Sequence, residues 1–271
     1  MATAAPVSHL TAREQSVPIR DEPWPHGTRR WIDLLVTDTA SARHFYSRLF
    51  GRALDAPPED SGHLMCSLKG RAVAAISPAA SDNPFPSLWS IYLAAGDLNA
   101  IAAKAKKAGG QCMMEPIEVM SAGRLAFTTD PTGAPFDIWQ AGPHRGVGVY
   151  DEMGALVCTE LMTRDYEGAK AFYGDVFGFT YDEMGEGFAY SMLKRSGDDR
   201  VVAGLGELGA STPARVPAGW VIYSMVQDCD ASAATALQLG ASVLRRPFVT
   251  PFGRMATLSG AQGEAFSLIQ A

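Results

Sequence analysis

Short strand-forming runs and helical stretches follow one another along this chain in a fixed order. Residues 31–36 (WIDLLV) form an apolar, β-prone run, and Asp38 follows at the position of a helix N-cap, where a carboxylate accepts hydrogen bonds from the first turn. Apolar residues then recur at helical spacing until Gly51, which is placed to end the helix. Two short strands over 63–76 complete the pattern. This order predicts a βαβββ unit.

The same order restarts at residue 87. A strand over 87–95 is followed by Asp97 as a second N-cap, and an apolar helix face leads to Gly109-Gly110. Three further strands are predicted at 111–114, 123–129 and 136–140. The first half of the chain is therefore expected to contain two βαβββ units.

The whole pattern then occurs a second time. The segment from Asp38 to Gly51 matches the segment from Asp165 to Gly178 at an offset of 127 residues, with Asp, Ala, Phe-Tyr and Phe-Gly at the same spacing. The match continues downstream in the pairs Trp89/Trp220, Ile91/Ile222, Tyr92/Tyr223, Asp97/Asp228 and Gly109/Gly240. A repeat of this length indicates a duplicated domain.

The predicted fold is α+β, with tandem duplicated domains. Each domain is expected to consist of two βαβββ units that form a curved mixed sheet, a cup, with helices outside. The predicted boundaries are an N-terminal tail at 1–28, a first domain at 29–143, a linker at 144–151 and a second domain at 152–271. Trp24 is expected to anchor the tail.

Net charge and cysteine content limit the classes of binding partner that we expect. The net charge is −6 and the pI about 5.4, so no basic footprint favours nucleic acid or an anionic membrane. The four cysteines form no CxxC pair, which argues against a zinc knuckle or a thioredoxin-type motif. No secretory signal or membrane-spanning run is evident. We therefore expect a cytoplasmic protein with reduced thiols and a small-molecule ligand, and a homodimer is an open option.

Three motifs resemble the vicinal oxygen chelate superfamily, which includes glyoxalase I, bleomycin-resistance proteins and extradiol dioxygenases. They are strand-x-Asp-x₃-Ala-x₂-Phe-Tyr-x₃-Phe-Gly at 31–51 and 158–178, strand-Asp-helix-Gly at 87–110 and 218–240, and Gly-Arg…Asp-Pro-x-Gly-x₂-Phe at 123–136. The wording is closest to the two-domain actinobacterial subfamily of the Cfp30B antigen type. The resemblance implies that a ligand binds in the cup of each half.

The resemblance also implies where metal ligands would lie. The family's His, Gln or Glu positions fall on Trp31, Ser90 and Asp137 in the first half, and on the residues Cys158, Val221 and Ser267 in the second. A divalent metal needs three or four converging N, O or S ligands. Neither set supplies them, so we predict no metal and no other cofactor.

Strand alternation predicts what lines the cups instead. Asp33 shares a face with Trp31, and Glu160 with Cys158, so both halves keep an acid at equivalent positions. Asp33 and Glu160 are the candidate acid/base residues; the candidate ligand-binding residues are Trp31, Tyr92, Asp137, Trp139, Cys158 and Tyr223. The alternative is structural: the acids hydrogen-bond at the seam between units, and the tyrosines are plain core.

Three functions remain open at this level. One is a metal-free protein that binds a small, partly aromatic molecule, for sequestration or resistance. Another is a cofactor-independent lyase, isomerase or hydroxylase-like enzyme that uses a cup carboxylate. The last is a degenerate scaffold for oligomerisation or a protein partner. The first cup is predicted to be the working site because it combines two tryptophans with Asp33 and Asp137, whereas the second is predicted to be mainly structural.

Overall fold

A computed structural model describes residues 19–55, 62–79, 87–119, 121–184, 188–198 and 200–270. Residues 1–18 of the predicted tail and residues 80–86 lie outside these ranges. The elements of the first half are β1 (Arg29–Val36), α1 (Thr39–Phe50), β2 (Ala53–Leu54), β3 (Leu64–Leu68), β4 (Arg71–Pro78), β5 (Leu88–Ala95), α2 (Leu98–Lys107), β6 (Gln111–Cys112), β7 (Ile117–Val119), β8 (Gly123–Thr129) and β9 (Pro135–Ala141).

The second half repeats this order. Its elements are β10 (Leu156–Thr163), α3 (Tyr166–Phe177), β11 (Phe179–Glu183), β12 (Tyr190–Arg195), β13 (Val201–Glu207), β14 (Gly219–Met225), α4 (Cys229–Gln238), β15 (Ser242–Thr250), β16 (Gly253–Ser259) and β17 (Ala265–Gln270). The α+β class and the tandem βαβββ units are confirmed.

Each half forms one mixed sheet. The strand orders are β2-β3-β4-β1-β5-β9-β8-β6 and β11-β12-β13-β10-β14-β17-β16-β15. In both sheets the two units meet at their first strands, because β1 pairs antiparallel with β5, and β10 with β14. The closing strands β4 and β9 run parallel to β1 and β5. The first and last strands of both units therefore lie side by side at the sheet centre.

The predicted caps form as the sequence requires. The carboxylate of Asp38 accepts a hydrogen bond from the backbone N–H of Ser41, and Asp165 does the same for Gly168. Gly51 and Gly178 end their helices in the left-handed conformation, at φ 63° and 73°, which glycine adopts without steric cost. Of the helices in the described ranges, none is both long and apolar enough to span a membrane.

The helices lie between the two sheets, on the face of each sheet opposite its cup, so they are outside the cups as predicted. α1 packs against α4 and α2 against α3, and one buried apolar cluster draws residues from both halves. Phe45 of α1 lies against Phe266, and Phe136 lies against Phe172 of α3. This contact between the halves was not predicted, because each helix and its partner helix lie in different repeats.

A hydrogen-bonded tyrosine links the halves at the centre of this core. The hydroxyl of Tyr46 donates to Glu264 of the second half at 2.8 Å and accepts from the indole of Trp89 at 3.0 Å. All three side chains are buried.

The repeat makes the reciprocal contact. Tyr173 donates to Asp130 of the first half at 3.2 Å and accepts from Trp220 at 3.0 Å. The two tryptophans therefore pack beneath the helices, as their strand parity predicted. Buried polar groups are stable when paired in this way, so these contacts tie the two halves together.

Candidate functional site

The helix-free face of the first sheet collects the predicted cup residues. Trp31 lies opposite Tyr92 in the β1–β5 register, and Tyr92 lies opposite Asp137 in the β5–β9 register. Trp31, Tyr92 and Trp139 belong to a buried cluster separate from the helix-side core. We call this set, with Asp33 and Asp137, the first cup; the structure brings all five residues together.

Asp33 lies in a chain of polar side chains at one end of the first cup. The hydroxyl of Ser77 donates to its carboxylate at 3.0 Å, Tyr92 donates at 3.4 Å, and His63 is 2.7 Å from Ser77 Oγ. Loss of hydration raises the pKa of Asp33 to about 6, although these hydrogen bonds oppose the shift. The tyrosine is therefore a partner of the acid, not plain core.

Asp137 is the most strongly perturbed acid of the first cup. Burial, and secondarily the charge of nearby Asp33, raises its pKa to about 8, while a 2.5 Å hydrogen bond from Ser90 opposes the shift. Two neighbouring carboxyls in an apolar site cannot both ionise at low cost. At neutral pH Asp137 is therefore mostly protonated.

The aromatic part of the first cup is covered by two chain segments. The ring of His144 packs edge-on against Trp31 with centroids 4.5 Å apart, and Trp24 packs against Tyr150 at 5.2 Å. Trp31, Tyr92 and Trp139 are 5–6% exposed. Trp24 thus anchors the segment before β1, as predicted. A ligand cannot stack on Trp31 unless this cover moves, which weakens the case for the first cup as the working site.

Arg30 is a member of this region that the sequence reasoning missed. A register shift in β1 between Arg29 and Trp31 breaks the alternation, so counting by twos did not place Arg30 in the cup. Its guanidinium lies 4.9 Å from the ring centroid of Trp139 and donates to the carbonyl oxygen of His144 at 2.5 Å. Burial lowers its pKa to about 9, which leaves the group charged at neutral pH.

The second cup is the equivalent face of the second sheet, and its centre is Glu160. The hydroxyl of Tyr223 donates to the Glu160 carboxylate at 2.7 Å, and the Tyr190 phenol lies beside it. Burial and the charge of Glu160 raise the pKa of both tyrosines, so both phenols stay protonated donors. The carboxylate accepts from Tyr223 and is flanked by the Tyr190 phenol of another strand.

Glycines on β13 make room for Tyr190. A Cβ on Gly204 would lie 2.3 Å from the Tyr190 hydroxyl, and a Cβ on Gly206 would lie 3.1 Å from its ring. In the first sheet, Ala75 and Ser77 occupy these register positions. In the first half a serine therefore donates to the acid, whereas in the second half a tyrosine packs over two glycines beside the acid.

The second cup is more open than the first. Cys158, Glu160, Tyr190 and Tyr223 are half-buried, and Phe188 and Phe252 stand 64% and 38% exposed beside Tyr190. Burial raises the pKa of the Cys158 thiol, so it remains protonated and is a poor nucleophile. A polar floor under exposed aromatic rings is typical of a small-molecule site.

The donor atoms of neither cup fit a transition metal. In the first cup the family positions hold Trp31, Ser90 and Asp137, and the hydroxyl of Ser90 is already bonded to Asp137. In the second, Cys158 is a protonated thiol and Val221 has no donor. No three His, Cys, Asp or Glu side chains within the described ranges group closely enough to hold a metal ion.

Comparison with known proteins agrees with this architecture. A protein named "Putative glyoxylase CFP32", from Mycobacterium tuberculosis, is 39% identical over 262 residues, covering 94% of this chain and 98% of that protein. "Anthracycline biosynthesis protein DauV" of a Streptomyces species is 32% identical over 259 residues, covering 90% and 93%.

Solved structures show the same fold at low identity. The Mn(II)-bound glyoxalase from Novosphingobium aromaticivorans superposes with a TM-score of 0.63 at 16% identity, covering 90% of this chain and 82% of that one. A trihydroxybiphenyl dioxygenase from Sphingomonas wittichii gives 0.61 at 14%, covering 91% of both.

The family model itself matches both halves, at residues 28–138 and 155–267. The match, the relatives and the paired βαβββ units agree with one another. This chain belongs to the Glyoxalase/Bleomycin resistance protein/Dioxygenase superfamily.

Proposed function

We propose that this protein binds a small, partly aromatic molecule without a metal, and that it does so in the second cup. The observation that carries the proposal is the half-exposed Glu160 carboxylate, which accepts from Tyr223 and lies beside Tyr190, the ring next to the exposed Phe188 and Phe252. A planar ligand would stack on the aromatic rim and donate a hydrogen bond to the acid. This assigns the leading role to the half that the sequence ranked second.

The relatives support an aromatic ligand. Two of them, in Streptomyces, are named for anthracycline biosynthesis, and anthracyclines carry fused planar rings with hydroxyl groups. Hydroxyls on such a ring would face an acceptor in the second cup. In the first cup, a ligand would bind only when the cover has moved, and it would then contact Trp31, Tyr92, Asp137 and Trp139.

A cofactor-independent enzyme is the second candidate. A general base must be oriented toward the proton that it removes, and the hydrogen bond from Tyr223 fixes the orientation of Glu160. The name of the mycobacterial relatives includes a glyoxylase activity. Asp33 would serve the same role in the first cup. The scaffold function, the homodimer and the cytoplasmic location stay predictions of the sequence.

Binding in the second cup can be tested with naphthalene-2,3-diol, a neutral planar probe with two hydroxyl donors. Glu160→Gln is expected to raise the dissociation constant of the probe roughly tenfold or more, because a hydrogen bond to a charged group contributes about 1.5–3 kcal/mol. Calorimetric titration measures the effect. Tyr223→Phe removes the phenol that donates to Glu160, and Tyr92→Phe makes the matched change in the first half as its control. Loss of binding in Asp33→Asn with Glu160→Gln unaffected would place the probe in the first cup, and no binding to the native protein would overturn the proposal.

The metal-free character has its own test. Protein purified and dialysed without chelator is expected to carry far less than one equivalent of Zn, Ni, Fe or Mn, because the ligand positions hold Trp31, Val221 and the protonated Cys158 thiol. Elemental analysis provides the measurement. A stoichiometric metal in either half, retained through dialysis and lost with Asp137→Asn or Cys158→Ala, would contradict the prediction.

A further inference from the structure

A cleft of about 240 Å³ opens at the edge of the first cup. It lies between the segment before β1 and the ends of β5 and β9. Its walls include Trp24, His26, Arg30 and Trp139, together with the small residues Ala94 to Gly96. The cleft is separate from the Glu160 floor of the second cup. It offers two indoles and a guanidinium to a bound molecule.

Three nitrogens at this cleft have no hydrogen-bond partner among the described residues. Arg30 is 1% exposed, and its Nε and Nη1 are buried without an acceptor, as is the indole Nε1 of Trp139. An unsatisfied buried donor destabilises the folded state, and more so when it is charged. These donors therefore form a site whose acceptor is missing from the described part of the chain.

The surroundings favour an anion. None of the described residues that line the cleft is an Asp or Glu. Burial lowers the pKa of His26, and the positive charges of Lys104 and Arg195 lower it further. Arg30 adds a fixed charge at the inner wall. A negatively charged group in the cleft would gain from the charge of Arg30 and meet no repulsion from the described residues of those walls.

The buried cation is not a requirement of the fold. The repeat places Val157 at the position of Arg30, and the second sheet forms the same strand pairs without it. Trp24 likewise lies in a segment outside the repeat. Arg30 contacts His144 and Trp139 in the first half, but these contacts leave its Nε and Nη1 without an acceptor, which a bound anion would supply.

We propose that this cleft is a second binding site, specific for a planar aromatic carboxylate. The aromatic ring would pack against Trp24 at the mouth of the cleft, with Trp139 at the inner wall, and the carboxylate would accept a charge-assisted hydrogen bond from the unpartnered Nη1 of Arg30. A Cβ on Gly146 would lie 2.9 Å from Arg30 Nε and 3.0 Å from Trp24 Cδ1, so Trp24 and Arg30 converge on this glycine. Trp24 is half-buried, and entry of the carboxylate requires this side chain to move outward.

The probe for this site is 2-naphthoate, with neutral 2-naphthamide as its matched control. The native protein is expected to bind naphthoate at least tenfold more tightly than naphthamide in calorimetric titrations. Arg30→Gln and Trp24→Ala are each expected to weaken naphthoate binding at least tenfold. Glu160→Gln is expected to leave it unchanged, so a failure here is distinct from a failure of the second cup.

A spectroscopic readout keeps the test valid if Arg30→Gln does not fold. In ¹⁵N-labelled native protein, naphthoate is expected to shift the indole signals of Trp24 and Trp139 and to leave those of Trp89 and Trp220 in place. Trp24→Phe assigns the first signal. Equal affinity for naphthoate and naphthamide, no binding at millimolar naphthoate, or shifts confined to Trp89 or Trp220 would each overturn the proposal.

Discussion

Tyr173→Ala is expected to lower the free energy of unfolding by about 3–5 kcal/mol, the range for deleting a large buried aromatic side chain. The ring is fully buried and lies 5.5 Å from Phe136 of the other half. Its hydroxyl joins Asp130 to Trp220. The substitution therefore removes a contact between the halves and leaves a buried carboxyl without one of its donors. Urea denaturation followed by fluorescence and by circular dichroism measures the change.

The conservative variant separates packing from hydrogen bonding. Tyr173→Phe keeps the ring and is expected to cost about 1–3 kcal/mol, the penalty for leaving a buried partner unsatisfied. Tyr46→Phe makes the reciprocal change beside Glu264 and should have an effect of similar size. Because the helices of both halves share one core, the native chain is expected to unfold in a single transition. Two separate transitions, or a cost below about 1 kcal/mol for Tyr173→Ala, would contradict the shared core.

The repeat explains how much of the fold could be predicted. Asp38 and Gly51 act locally, through a cap and a left-handed turn, so their roles follow from the sequence alone. The contact between the helices of the two halves does not, because the residues that pack against Phe45 include one from the other half. Nothing in one βαβββ unit encodes its contact with Phe266.

In the candidate site, too, some positions could be predicted from the sequence and others could not. Strand parity placed Trp31, Asp33 and Tyr92 on one face because the register there is regular. It missed Arg30 because a shift in that register interrupts the alternation. It assigned His144 only to a linker, since a side chain that covers a sheet from a distant segment leaves no periodic signal. The ranking of the two cups therefore depended on contacts that only the folded chain contains.

The equivalent acids show how one scaffold can diverge. Asp33 and Glu160 occupy the same position, and both accept from the tyrosine on the neighbouring strand. The first half supplies its second donor through Ser77, which His63 approaches. The second half uses Tyr190, at the sequence position of His63. The acid and first tyrosine are thus a common framework, whereas the second donor and the aromatic cover distinguish the cups.

The raised pKa of Asp137 makes the free energy of unfolding fall as pH rises. An ion-paired acid, whose pKa is lowered, has the opposite effect. Its pKa in the folded protein, about 8, lies above the ordinary value of 3.8, so the folded state keeps a proton that the unfolded chain releases. The free energy of unfolding therefore falls as pH rises between these two values. The slope is about 1.4 kcal/mol for each pH unit, so raising the pH from about 6 to about 8 is expected to cost about 2–3 kcal/mol through this residue.

Asp137→Asn removes the titrating group and keeps a polar side chain for Ser90 to contact. The variant is expected to show a flatter stability profile above about pH 6, and to be more stable than the native protein above about pH 8. Asp33, with a pKa of about 6, leaves a residual slope between its ordinary value of 3.8 and about 6. Thermal denaturation at a series of pH values measures both profiles, with Asp175→Asn on α3 as the control. A variant whose profile follows that of the native protein would show that Asp137 is ionised in the fold at neutral pH. The Ser90 hydroxyl would then be offsetting the cost of burial, and the first cup would hold a negative charge opposite Arg30.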